Sequence, residues 1–318
     1  MSDLWLPAEQ WLSSLRNEYL NTYVGEGGSA IKLAVVPSAE KRDSLRSALL
    51  QVARDAGYLA AEVSATNCKV HLIDKLYAEV ARQVDWDTLV DGFLRRELAQ
   101  IGLTVGTGDS IDVHTLADSN DTEVSLVLGA IRKMLASRLV GSYGLSHQFR
   151  MAMVQLCLAQ TEADDLQCER AEHVKSWLSG ELARVGVLRD AFIFRKVNRH
   201  SARTMLSSTA AFIRMAARPG ILIVCDISRY AVAKATDDGF NRYSTAAALD
   251  MYEVLRQFVD GTDDVTGALI VFITCPEFLS DEQRGLRAYN ALYLRLTDDV
   301  RDRRRPNPLA PMVRIGGS

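Results

Sequence analysis

An α/β fold, in which helices cover a parallel sheet and a large helical insertion interrupts it, is the class this sequence predicts. Two apolar runs carry the prediction, Gly220-Ile221-Leu222-Ile223-Val224-Cys225-Asp226 and Ala268-Leu269-Ile270-Val271-Phe272-Ile273. Neither alternates polar with apolar residues, and a strand reads that way when both of its faces are covered, as in a parallel sheet. The third observation is a strand, a helix and a second strand near the start of the chain, which make one βαβ unit.

Each element has its own signal. Residues 4–23 set Trp5, Leu6, Trp11, Leu12, Leu15 and Leu20 mostly at helical spacing, so 1–24 is expected to form a docking helix. Gly25-Glu26-Gly27-Gly28 breaks it. Residues 31–36 read as a strand halted by Pro37, and Leu45, Ala48, Leu49, Val52 and Ala53 mark a helix that runs to Gly57. Residues 58–63 look like the second strand. From about Val70 to Leu188 helical periodicity takes over, with apolar residues recurring in 72–84, 89–98, 124–139, 151–158 and 171–182. Residues 70–188 are therefore read as a helical insertion that splits an α/β core of 25–69 and 189–318. The core resumes with a helix lined by Ala202, Met205, Leu206, Phe212 and Ile213 and ended by Pro219-Gly220. Helices over 243–259 and 289–296 and a short last strand over 312–315 complete it.

Composition narrows the function classes. Hydrophobic residues make up 48% and charged ones 24% of 318 residues, as in an ordinary globular protein. The net charge of −3 gives no general pull toward nucleic acid, so any such contact must come from a local patch. The start, MSDLWLPAEQW, lacks the basic residues and apolar core of an export signal, and no apolar run has the length to span a membrane. Five cysteines, Cys68, Cys157, Cys168, Cys225 and Cys275, show no paired rhythm, which predicts reduced, buried thiols in a cytoplasmic protein.

Asp226 is the residue that points to chemistry. A carboxylate at the carboxyl end of a central parallel strand is where P-loop nucleotidases hold Mg²⁺. Two readings stand for it, a metal carboxylate or a residue that ends the strand and starts a turn. Ile227, where a water-activating carboxylate would follow, has no proton acceptor. A phosphate cradle would lie between the first strand and the first helix, in Val36-Pro37-Ser38-Ala39-Glu40-Lys41-Arg42-Asp43. That segment has the length and setting of a cradle but no glycine to let backbone N–H groups wrap a phosphate. Pro37 removes a donor, and Glu40 and Asp43 place negative charge where phosphates would sit. Lys41 and Arg42 are the groups that could meet an anion at the helix start; an ordinary βα turn is the plainer reading.

The remaining motifs are weaker. Gly102 to Ser110 is rich in glycine but follows a helix, and Asp109 stands where a cradle needs lysine, so it is read as a loop. Cys157, Cys168 and His173 have no metal-ligand spacing and are expected to pack in the core. His71, His114, His147 and His200 are dispersed, with no nucleophile motif beside them. Arg301, Arg303, Arg304 and Arg305 form a basic run diluted by Asp298, Asp299 and Asp302. A solvated helix end, a subunit contact or a phosphate grip all fit it.

With these residues in view, the chain resembles the P-loop ATP-binding proteins of bacterial phage-exclusion (BREX) operons, the BrxD-like family. The resemblance rests on Gly27-Gly28-Ser29-Ala30-Ile31-Lys32-Leu33, Ala60-Ala61-Glu62-Val63, Lys175 to Glu181, and Asn198 to Arg218 with the strand to Asp226. Its most specific part is Cys275-Pro276-Glu277-Phe278 with Arg284 to Leu292. It implies a P-loop NTPase fold of AAA+-like type, with ATP and Mg²⁺ as cofactors. The departures fall on the catalytic parts. Lys41, Arg42 and Asp43 stand where the family has Gly-Lys-Thr, Asp226-Ile227 replaces Asp-Glu, and Cys275 replaces a threonine. The family's C-terminal helical lid is not expected after Ile315.

The reading that follows is a catalytically degenerate AAA+-like protein, a pseudo-ATPase with no working cofactor, acting as a structural or regulatory subunit of a phage-defence or DNA-processing complex. Its partner would be an intact ATPase, a helicase, a methyltransferase or a second copy of itself, in a homo- or hetero-oligomer away from membranes. Arg284, Arg287 and the run Arg301, Arg303, Arg304 and Arg305 would supply subunit or nucleic-acid contacts. Lys41, Arg42, Asp43, Asp226 and Cys275 would be the remains of the nucleotide site. The competing readings are a weak or partner-dependent ATPase that uses Arg42 for phosphate and Asp226 for Mg²⁺, and a DNA-binding adaptor.

Overall fold

The computed structural model describes residues 5–106, 108–162, 164–232, 241–297 and 306–316. The chain divides into two compact units, Met1–Val80 with Pro219–Ser318, and Ala81–Arg218.

The first unit is built on five strands, β1 (Ser29–Val35), β2 (Leu59–Ser64), β3 (Ile221–Asp226), β4 (Ala268–Thr274) and β5 (Met312–Arg314). Their order is β2-β3-β4-β1-β5, and every pair is parallel. The expected strands are all present within a residue or two of their predicted ends. Two helices precede the crossover to β2. The first, α1 (Ala8–Ser14), continues as a π-helical stretch, Leu15–Tyr23, and the second is α2 (Ala39–Asp55). Trp11, Leu15 and Leu20 from the first and Leu45, Leu49 and Ala53 from the second pack on Leu222, Val224, Leu269, Val271 and Ile273. The intervening residues of β3 and β4 face the other side, as the pleat requires. There Phe258, from the helix Thr245–Asp260, meets Phe272 with ring centroids 6.1 Å apart.

Both helices and strands are fixed by local chemistry. Gly220 lets β3 start against β4, because a Cβ there would sit 2.1 Å from the Gly267 carbonyl oxygen. Gly57, at φ +79°, supplies the left-handed turn that ends the α2 segment. The residues before α1 add an edge that periodicity alone does not reveal. Leu6 bridges Ile315 in parallel, its N–H donating to the Arg314 carbonyl at 2.8 Å. Residues of α1 and its π-helical continuation pack on the same sheet. Lys32, buried in β1, donates from Nζ to the Leu309 and Ala310 carbonyls at 2.5 and 3.3 Å and lies 4.3 Å from the Tyr19 ring centroid.

The second unit is helical. Its main helices are Trp86–Gln100, Val113–Ser119, Val124–Leu135, His147–Thr161, Asp165–Leu178 and Ala202–Met215. The stretch Ala136–Val140 extends the third of these as a π-helix. The rings of Phe93, Phe149 and Phe212 form its centre, with Phe212 at 5.3 Å from Phe93 and 6.0 Å from Phe149. This packing places Ala202–Met215 with the helices, whereas its position before β3 had assigned it to the α/β core. The unit boundaries therefore fall at Val80 and Pro219 rather than near 70 and 188. Gly102 to Ser110 is loop wherever it is described, held by Arg95, which donates to the Gly106 and Asp109 carbonyls at 3.1 and 2.7 Å. Among the described residues no helix is long and apolar enough to cross a membrane.

Candidate nucleotide site

The strand order brings the ends of β1 and β3 to one edge of the sheet with β4 between them. Asp226 pairs in register with Ile273, and Ile273 with Ala34. Ligands of open parallel sheets sit outside this carboxyl edge, so this is where a nucleotide site has to be built.

The β1–α2 connection is shorter than the sequence suggests. Helix α2 begins at Ala39, leaving Val36, Pro37 and Ser38 as the whole turn. Ser38 is the reason: its extended backbone (φ −123°, ψ 156°) and its Oγ, which accepts the Lys41 N–H at 3.2 Å, make it an N-cap. The segment from Ala39 to Asp43 is helix, not loop. A phosphate cradle needs several backbone N–H groups turned toward one point. Here Pro37 has no N–H and the Lys41 N–H is already bonded to Ser38. Glu40 and Lys41 are both exposed. Asp43 is exposed as well and pairs with Arg46 at 2.9 Å, whose Nε reaches Glu62 at 3.1 Å.

Arg42 turns the other way, into the carboxyl edge. Its Nε lies 3.9 Å from Asp226 Oδ2, with side-chain exposures of only 16% and 14%. The other carboxylate oxygen, Oδ1, accepts the Ser228 N–H at 2.9 Å and so starts the short helix Ser228–Ala231. One oxygen of Asp226 thus ends its strand in a turn while the other faces a cation belonging to the chain. Ile227 is buried at 1% exposure, its N–H donating to the Ile273 carbonyl at 2.9 Å. These residues do not fit a triphosphate with its Mg²⁺: the turn is too short to wrap phosphates, and a guanidinium stands beside the carboxylate that would hold the metal.

Cys275 closes the same edge, 3% exposed, with Sγ 3.6 Å from the Ser228 carbonyl oxygen. Burial, and after it the neighbouring Glu277, push its thiol up to about 12. Beyond Asp226 the chain is wedged by aromatic residues. Tyr230 Oη lies 2.8 Å from His71 Nδ1, and its ring stacks on Tyr243 at 3.9 Å. Tyr243 Oη donates to the Ala65 and Cys68 carbonyls. Sequence reasoning missed this cluster, since its members lie up to 172 residues apart in the chain and none carries a motif. It also missed the Ser38 cap, for which Ser38 following Pro37 was the available signal.

The candidate contact arginines divide. Arg284 donates from Nη1 to the Tyr243 carbonyl at 2.9 Å, and its N–H is held by Asp281 Oδ1 at 2.7 Å, so it braces the fold. Arg287 is exposed and lines a cleft of 420 Å³ at the ends of β1 and β5, together with Trp5, Val35 and Arg314. Arg301, Arg303, Arg304 and Arg305 lie outside the described residues. Cys168, expected in the core, is exposed, while the other four cysteines are buried. No metal-binding cluster of His, Cys, Asp or Glu occurs among the described residues.

A family model described as BREX system ATP-binding protein BrxC/D matches residues 44–317. The match starts one residue beyond Asp43. No curated protein and no solved structure matches the chain.

Proposed function

The chain belongs to the family of BREX system ATP-binding proteins BrxC/D, and from that premise we propose that it is a degenerate P-loop member serving a phage-defence complex as a structural or regulatory subunit. The observation that carries this reading is Arg42 beside Asp226. A magnesium carboxylate has to meet a divalent cation bridged to phosphates, and a fixed guanidinium at 3.9 Å competes for the same oxygen. The three-residue turn and the apolar Ile227 agree with it, since the first offers no wrap of donors and the second cannot take a proton from water.

P-loop ancestry is supported by the placement of the parts. The β1–α2 turn and the carboxylate of β3 stand at one carboxyl edge across β4, with Cys275 just after it. The sheet keeps its buried strands although the groups that chemistry would need have changed, as in a fold retained for its surfaces. In this reading the partner is an intact ATPase, a helicase or a methyltransferase of the same defence system, or a second copy of the chain. Calorimetric titration with ATP and Mg²⁺, alongside a phosphate-release assay, tests it. No heat and no release are expected; micromolar binding or steady turnover by the purified chain would refute it.

A further inference from the structure

The helical unit carries a feature unrelated to the carboxyl edge. Between Arg189 and Arg203 the sequence holds five cationic side chains, Arg189, Arg195, Lys196, Arg199 and Arg203, against one carboxylate, Asp190, in a chain of net charge −3. Two phenyl rings interleave with them and point outward: Phe192 is 59% and Phe194 55% exposed. Rings of that size are normally buried, and three apolar neighbours in the chain are. Leu188, Ala191 and Ile193 are fully covered, so inward and outward positions alternate from 191 to 194. The segment is pinned by Phe192, in the left-handed conformation at φ 58°, and by Trp177, whose Nε1 donates to the Arg195 carbonyl at 2.8 Å. The rings are held out by a fixed backbone.

Immediately after the rings the chain lines a cavity of 560 Å³ whose walls include Arg195, Lys196, His147, His200, Ser201 and Thr204, with no carboxylate among the lining residues. The helix His147–Thr161 opens into it. Its N-cap residue, Ser146, turns its hydroxyl to Met205 Sδ at 3.5 Å and makes no side-chain cap, so the helix presents its positive end to the cavity. Exposed aromatic faces beside a basic, carboxylate-free hollow match the two halves of an unpaired nucleotide strand, whose bases stack and whose phosphates need cations.

We propose that the segment Arg189 to Arg203 and this cavity form a binding site for single-stranded nucleic acid. Bases stack on Phe192 and Phe194, and the adjoining phosphates lie against Arg195 and Lys196. A duplex keeps its bases stacked inside and cannot use the rings, so the site discriminates in favour of single strands. The proposal does not depend on the state of the nucleotide site.

Fluorescence anisotropy of labelled oligo-dT, oligo-rU and a mixed duplex, each with the 318-residue chain, tests it. The single strands are expected to bind, at least tenfold more tightly than the duplex and with an affinity that falls steeply with salt. Phe192→Ala with Phe194→Ala should weaken single-strand binding by about tenfold or more while leaving the salt slope in place. Arg195→Ala with Lys196→Ala should instead flatten the slope by about 1.4 in log–log terms, two phosphate contacts at single-strand screening. All four side chains are exposed, and circular dichroism controls for folding. Absence of single-strand binding at low salt, equal binding of the duplex, or indifference to the phenylalanine substitutions would each overturn the proposal, the first leaving a protein partner as the occupant of this face.

Discussion

At Asp226 a carboxylate ends an apolar strand, and its oxygens have to be satisfied within a nearly closed edge. The Ser228 N–H takes one and Arg42 faces the other. A metal carboxylate kept apart from its metal is a source of strain, and its removal tends to be neutral or stabilising. A turn-capping carboxylate beside a part-buried cation behaves oppositely. Asp226→Ala should cost about 1–3 kcal/mol, because it leaves the Ser228 N–H without its acceptor and Arg42 without the carboxylate that faces it at 3.9 Å. Urea unfolding of that variant, of Arg42→Met and of the double variant measures it. A coupling energy of about 1 kcal/mol or more between the two sites is expected, and a stabilised Asp226→Ala protein would speak for a vacated metal site. The thiols give a second check at this scale. Four are buried, and burial holds Cys225 and Cys157 far above the ordinary thiol range. One fast-reacting thiol per native chain, lost in Cys168→Ser, is expected with an aromatic disulfide reagent. Asp226 itself was legible in the sequence because it ends an unbroken apolar run. Its partner was not: whether Arg42 belongs to a loop or to the second turn of a helix depends on where Ser38 caps, and only that decides which way the guanidinium points.

The elements around the edge are tied by charge as well as by apolar packing. On the helix Thr245–Asp260, Glu253 accepts from Arg256 at 2.6 Å and from Gln257 at 2.8 Å, and it is also bonded to the Tyr289 hydroxyl. Arg256 reaches on to Asp260 at 2.5 Å, and Asp260 pairs with Arg295 of the helix Asn290–Thr297. Arg256 first, then Tyr289 and Gln257, hold the Glu253 carboxyl down from its ordinary 4.5 to about 2. Its folded-state affinity for protons is therefore depressed. The stability it contributes is fully present above about 4.5 and is lost as pH falls through about 2. The urea midpoint of the wild type should fall across that window, and Glu253→Gln should flatten this part of the profile. Equal acid limbs would show that the network contributes nothing. At this scale the strands were the most legible parts, since an apolar run between a Pro-Gly stop and a polar end has few alternatives. The helices were legible in place but not in kind: the π-helical stretches Leu15–Tyr23 and Ala136–Val140 share the apolar spacing of ordinary helix over so few turns.

Over the whole molecule, the alternation of strands and helices announced a parallel sheet, yet the order β2-β3-β4-β1-β5 was not readable. Strands buried on both faces carry no polar alternation to specify their neighbours. The helical unit was visible as a change of periodicity, while its far boundary was obscured because Ala202–Met215 precedes β3 in sequence but shares its aromatic core with Phe93 and Phe149. Family membership and the proposed loss of the nucleotide site meet in one claim: a chain of an ATP-binding family that carries Arg42 beside the carboxylate of Asp226 and binds no ATP with Mg²⁺. Any ligand that binds only the folded state raises the unfolding temperature, and at one hundred times its dissociation constant it adds about 2.7 kcal/mol. The direct measurement is therefore the unfolding temperature of the wild-type protein with millimolar ATP and Mg²⁺ against Mg²⁺ alone. An unchanged temperature is the expected result, and a rise of several degrees that disappears when Mg²⁺ is chelated would contradict the claim.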